Sequence, residues 1–217
     1  MMQHKFDDIS RHVSLKGMLK LDKIAQEAAR IAHERESASK ERAHSVSDSA
    51  WVIARVEYGR EKAVEIAMVE AGIEACVIMR MGPERKRHRR RIPAAKTPVF
   101  NGILFVFCLP DNHALRGILS FDHVKSIVMG RDHAVKISNE TINEFKELAE
   151  AGAYDHSHRS DAIRKGEKVR ITSGPFVGFE VEVDAFGESG HGDAVVTIVI
   201  FGKPTVFNMP LAMLEKV

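Results

Sequence analysis

The sequence predicts an α+β protein: a mixed α/β domain, then a small all-β barrel, with a helical segment ahead of both. Three observations predict this. From Trp51 to about Gly152, apolar strand-like runs alternate with helical periodicity. Beyond Lys165 come short alternating runs, separated by Gly and Pro at regular spacing. Between the two, "AGAYDHSHRSDAIRK" has no consistent period and is rich in polar residues, as a linker is. The expected organisation is a helical, partly disordered extension over 1–49, the α/β domain over 50–150, a flexible linker over 151–164 and the barrel over 165–217.

In the extension, Met18, Leu21, Ile24, Ala25, Ala28, Ile31 and Ala32 recur at helical spacing, giving an amphipathic helix with a weak, alanine-rich face. The polar "ERESASKERAHSVSDSA" that follows reads as frayed helix or linker, and the extension is expected to pack lightly or not at all. "WVIARVEY" reads as a strand. "REKAVEIAMVEAG" reads as a helix closed by Gly72 in the manner of a C′ glycine. "EACVIM" is a second strand, and "GILFVFCL" is so uniformly apolar that it belongs in the sheet centre, covered on both faces. Asp111 caps the helix in "NHALRGILSF", "VKSIVMG" makes a further strand, and Ser138 or Asn139 caps a helix that buries Ile142, Phe145 and Leu148. The barrel strands are "EKVRITSG", "FEVEVDAFG", "DAVVTIVIFG", "KPTVFNMP" and "LAMLEKV".

With 217 residues, 44% hydrophobic and 29% charged, the composition is that of an ordinary globular protein, and a net charge of +2 points to no particular partner. No apolar run approaches the roughly 20 residues of a membrane span. "MMQHKFDDIS" has no apolar core of the kind a signal peptide needs. Cys76 and Cys108 sit far apart in apolar surroundings and read as reduced thiols, which suits the cytoplasm.

Chemistry is sparse. The chain has no P-loop, G-x-G-x-x-G, G-x-S-x-G or H-E-x-x-H motif, so neither catalysis nor a cofactor is expected. His156 and His158 lack the second ligand pair a structural zinc site needs, and no metal is expected. The strongest signal is electrostatic. "RMGPERKRHRRR", from Arg80 to Arg91, holds seven Lys/Arg against one Glu. Such a run reads as a solvated loop whose potential attracts phosphate backbones, with Arg85, Lys86, Arg87, Arg89, Arg90 and Arg91 as candidate contacts.

"WVIARVEYGREKAV", with Gly-x-Glu opening a helix, and "PVFNGILFV" after a basic segment resemble the N-terminal (NGN) domain of NusG-type transcription factors. "GEKVRITSGPFVGFEVEV" followed by "VVTIVIFGKPTVFNMPLAMLEKV" resembles that family's KOW domain, an SH3-like barrel. The resemblance runs from about Trp51 to Val217 and leaves the extension without a counterpart.

The resemblance implies a non-enzymatic factor that docks on the clamp helices of RNA polymerase and changes pausing, termination or antitermination. Its KOW domain would recruit Rho or a small-subunit ribosomal protein. The family's polymerase contact, a Phe-Pro-Gly-Tyr segment, falls on Phe100, Asn101, Gly102 and Ile103, two of which depart from it. These departures and the extension point toward a specialised paralogue. The partner-facing barrel residues fall on Phe176, Phe179, Ile200, Phe201 and Lys203. Ile200 and Phe201 are consecutive in a strand and so point to opposite faces, which puts one of them near the surface. Glycines and β-branched residues throughout this region oppose any helical refolding. A monomer without membrane contact is expected. The alternative reading is a KOW-type RNA-binding or ribosome-associated protein that does not bind polymerase.

Overall fold

The computed structural model describes residues 14–87, 90–156, 163–186, 192–200 and 203–217. Helix α1 (Leu15–Ser37) starts at Ser14, whose hydroxyl accepts from the Gly17 N–H. Helix α2 (Lys40–Ser45) follows at once, capped by Ser39, which corrects the expectation of frayed chain over this stretch. Two contacts explain its order. The Lys40 N–H donates to the Gly72 carbonyl at 2.8 Å, and His44 lies 5.1 Å from the Phe107 ring.

The main sheet has the order β2-β7-β1-β8, built from β1 (Ala50–Val56), β2 (Glu74–Cys76), β7 (Ile103–Cys108) and β8 (Val124–Ile127). The short β9 (Lys136–Ile137) also pairs with β1. All six residues of β7 are buried, as its apolar sequence requires of a strand with both faces covered. Period-2 alternation divides β1 and β7 between two cores. Trp51, Ile53, Ile103, Phe105 and Phe107 face one side, where α5 (Asn139–Glu150) inserts Ile142 and Phe145. Val52, Ala54, Leu104 and Val106 face the other, under Val64 and Met68 of α3 (Glu61–Glu70) and Ala114 and Ile118 of α4 (Asn112–Leu119).

The predicted strand "EACVIM" is two strands. The Val77 N–H is taken by the Glu65 carboxylate at 3.1 Å, which ends β2. The chain then leaves the sheet as β3 (Met79–Met81), which pairs with β6 (Lys96–Pro98). The basic run between them is not the expected loop. Strands β4 (Arg85–Arg87) and β5 (Arg90–Ile92) form an antiparallel ribbon in the register Lys86↔Arg91.

The C-terminal half of α1 docks on α4. An added Cβ at Gly117 would stand 2.2 Å from the Glu34 carbonyl oxygen, so only glycine permits this crossing. Arg35 reinforces it, donating to Ser120 at 2.8 and 3.0 Å and lying over the Phe121 ring. Residues 15–30 are, by contrast, almost wholly exposed and extend for about 24 Å at the helical rise.

The C-terminal strands β10 (Lys168–Ile171), β11 (Glu180–Phe186), β12 (Asp193–Ile200), β13 (Lys203–Pro210) and β14 (Leu214–Lys216) form one sheet in the order β13-β12-β11-β10-β14. Their alternation buries Val169, Ile171, Val181, Val183, Val196 and Ile198 on a single face. Among the described residues the edge strands β13 and β14 do not pair with each other, so the sheet has the strand set of a barrel without its closure. Gly174 and Gly178 have φ of +80° and +87° in the turn between β10 and β11, conformations that glycine supplies without strain.

Candidate docking face and its cover

The segment Phe100–Ile103 is held from both sides. Gly102 adopts φ +72°, which lets its carbonyl accept the Val56 N–H at 2.9 Å while its own N–H donates to Glu61 at 2.6 Å. Glu61 is only 3% exposed. It sits in the first turn of α3, where the helix dipole favours a carboxylate. The glutamate of the Gly-x-Glu motif thus positions the turn that presents Phe100 and Ile103.

Neither of those two side chains is on the surface. Phe100 is 3% and Ile103 4% exposed. The Phe100 ring lies 5.5 Å from Phe145 and 5.7 Å from Phe176, and Phe176 in turn lies 4.8 Å from Phe207. The core under the main sheet therefore runs without a break into the core of the C-terminal sheet. The chain joining the two sheets takes part, since Tyr154 is fully buried with its ring 5.2 Å from that of Phe145. Gly174 fits against Phe145 and Met213, where a Cβ would meet the Met213 methyl at 2.7 Å. Asn101 is half-buried, and with Tyr58 and Val206 it lines a 220 Å³ cleft along the seam.

An ion pair closes the seam on another side. Arg80 is 5% exposed, and its guanidinium donates to Asp193 Oδ1 at 2.5 Å and to the Tyr154 carbonyl at 3.0 Å. By sequence, Arg80 belongs with the solvated basic run. Its position in β3, facing the C-terminal sheet, removes it from that group, and only the charge pairing makes its burial tolerable. Nothing in the sequence marks Arg80 out, because its partner lies 113 residues away.

The remaining candidates divide. Phe176 is 2% exposed and belongs to the seam, whereas Phe179 is 41% exposed, beside the exposed Val177. Ile200 ends β12 and its backbone pairs with that of Lys203 in β13. Phe201 lies outside the described residues, as does Arg89. Arg85, Lys86, Arg87 and Arg90 take the ribbon positions given above, and Arg91 is exposed. No group of three or more His, Cys, Asp or Glu suited to a metal occurs among the described residues, nor does any described helix suit a membrane crossing. Both cysteines are free, and burial pushes the Cys76 thiol up to about 11 and the Cys108 thiol up to about 12.

A family model described as "Transcription termination factor nusG" matches residues 49–146. No curated protein matches the chain. Among solved structures it is similar to that titled "Domain interaction in Thermotoga maritima NusG", at 22% identity over 78% of this chain and 97% of that one, with a TM-score of 0.39. It is also similar to a chain of the MjSpt4:Spt5 complex in conformation A, at 15% identity over 77% and 97% of the two chains, with a TM-score of 0.25. Residues 49–146, the main-sheet domain, are thus identified as a NusG-type domain.

Proposed function

We infer that this protein is a transcription elongation factor that docks on the clamp helices of RNA polymerase through the face centred on Phe100, Asn101, Gly102 and Ile103. The observation that carries this reading is the preformed Phe100–Ile103 turn, pinned by Glu61 within the NusG-type domain and followed by the apolar face of β7. The C-terminal sheet acts as a KOW barrel that recruits a second partner, Rho or a small-subunit ribosomal protein. Phe179, Ile200, Phe201 and Lys203 are its contact residues, joined by Phe176 once the seam opens. The basic ribbon touches nucleic acid by phosphate contacts, which position without specifying sequence. The factor acts as a cytoplasmic monomer without catalysis, altering pausing and termination or antitermination.

In the arrangement described, the docking face and the C-terminal sheet cover each other, so polymerase binding requires their separation. Capture of RNA polymerase on the immobilised full chain tests the reading. Capture should rise with Asp193→Ala, which removes the seam's ion pair, and fall with Phe100→Ala or Ile103→Ala in variants that circular dichroism shows to be folded. Absence of capture by both wild type and Asp193→Ala would refute polymerase docking. Co-sedimentation with ribosomes in its place would favour the ribosome-associated reading.

A further inference from the structure

Beside the Arg80–Asp193 pair lies a cavity of about 370 Å³, whose charged lining is Arg80, Lys96, Lys146, Glu150 and Asp155. Its cations are underused. Among the described residues, Lys96 is exposed and makes no ion pair, and the Lys146 ammonium has only the Trp51 ring, 4.7 Å from its centroid, and the Cys76 thiol. The Arg80 Nε is buried with no hydrogen-bond partner among the described residues, although the other two guanidinium nitrogens are engaged. A buried donor left unmet carries a desolvation cost that a suitable acceptor would remove. Of the carboxylates, Asp155 already accepts the Met81 N–H at 2.9 Å, and Glu150 is exposed at the end of α5.

We propose that this cavity is an anion site that takes a phosphate group on Arg80, Lys96 and Lys146, and that filling it releases the C-terminal sheet. A tetrahedral dianion has oxygens to spare for three cationic donors, whereas the Asp193 carboxylate serves only one of them. Within the cavity it competes with Asp193 for the same guanidinium and repels that carboxylate across a poorly screened seam. The phosphate comes either free from solution or as the backbone of a nucleic acid. The second source has a direct path, because the chain runs from the strand bearing Arg80 through three residues into the β4–β5 ribbon. The proposal goes beyond polymerase docking and does not depend on it.

Trp51 is the single tryptophan of the chain, and Lys146 stands over its ring, so its emission reports on the site. Inorganic phosphate and a short oligothymidylate are titrated separately into the full chain, with ionic strength held constant by chloride. The expected result is a saturable emission change together with loss of hydrogen-exchange protection around Phe176. Lys96→Ala, which leaves Trp51 untouched, should weaken the apparent affinity at least tenfold. A response to both probes supports the site with either source. A response to oligothymidylate alone that Lys96→Ala weakens supports it with nucleic acid as the source. An emission change no larger than the chloride control overturns the site, as does any response that Lys96→Ala leaves intact. Saturation with undiminished protection at Phe176 overturns the coupling to release.

Discussion

The ring of Phe100 meets the ring of Phe176 edge-on, with centroids 5.7 Å apart and an interplanar angle of 75°. This is a favoured aromatic geometry, and it joins the Phe100–Ile103 segment to the turn between β10 and β11. Phe176→Ala removes that contact together with the packing on Phe207. Chemical denaturation should show a loss of about 3–5 kcal/mol, the usual cost of a buried Phe→Ala change. Phe179→Ala, at an exposed position, should cost no more than about 0.5 kcal/mol.

The crossing of α1 over α4 leaves no room for a side chain at Gly117. Gly117→Val should detach the helix pair, lowering Tm by several degrees. Exchange protection should disappear at Glu34–Ala38 while persisting in β12. Unchanged protection at Glu34 would mean that the two helices can separate slightly without losing contact.

The buried Glu61 takes the N–H of the half-buried Gly102, so Glu61→Ala leaves that donor without its acceptor. The expected cost is about 1–3 kcal/mol. The amide resonances of Asn101–Ile103 should move more than any others. Glu61→Gln keeps an acceptor oxygen and should restore part of the loss.

Burial opposes the thiolate form of Cys76 and Cys108, whose pKa values stand at about 11 and about 12. Alkylation by iodoacetamide at pH 8 should therefore be far slower in the folded chain than after unfolding. The sign of the linked stability follows. The folded pKa values exceed the ordinary value of about 8.5, so this contribution is complete below that pH and is lost as pH rises toward 11 and 12. Fast labelling of native protein at pH 8 would contradict the burial of both thiols.

Nucleic-acid affinity carried by the basic ribbon should fall steeply with salt. Replacing Arg91 by Ala should reduce the magnitude of the log–log slope by about 1, with little change in sequence preference. Retention of the full slope would place the contact elsewhere.

Local rules of sequence anticipate the elements that local rules govern. The Asp111 and Ser138 caps, the positive φ at Gly72 and the fully buried β7 follow from short-range sterics and periodicity. Helix α2 escapes such rules because its order comes from Gly72 and Phe107, far along the chain. The Phe100–Ile103 turn is singled out by resemblance, but what covers it is not. Phe176 lies in the turn between β10 and β11, where no periodicity applies, so nothing local announces its burial against Phe100. Arg80 is the hardest case. In sequence it is one cation among seven, and its burial exists only because Asp193 arrives beside it in three dimensions.

The order in which the chain is made gives the seam a direction in time. Phe100 and Phe145 emerge from the ribosome before Phe176 and Phe207, the residues that cover them. Domains fold largely as units during synthesis, N-terminal first. The apolar face of the main sheet is therefore complete and bare while its cover is still being translated. A newborn molecule passes through the uncovered state before it reaches the covered one, so the covered form has to be acquired once in every molecule's life.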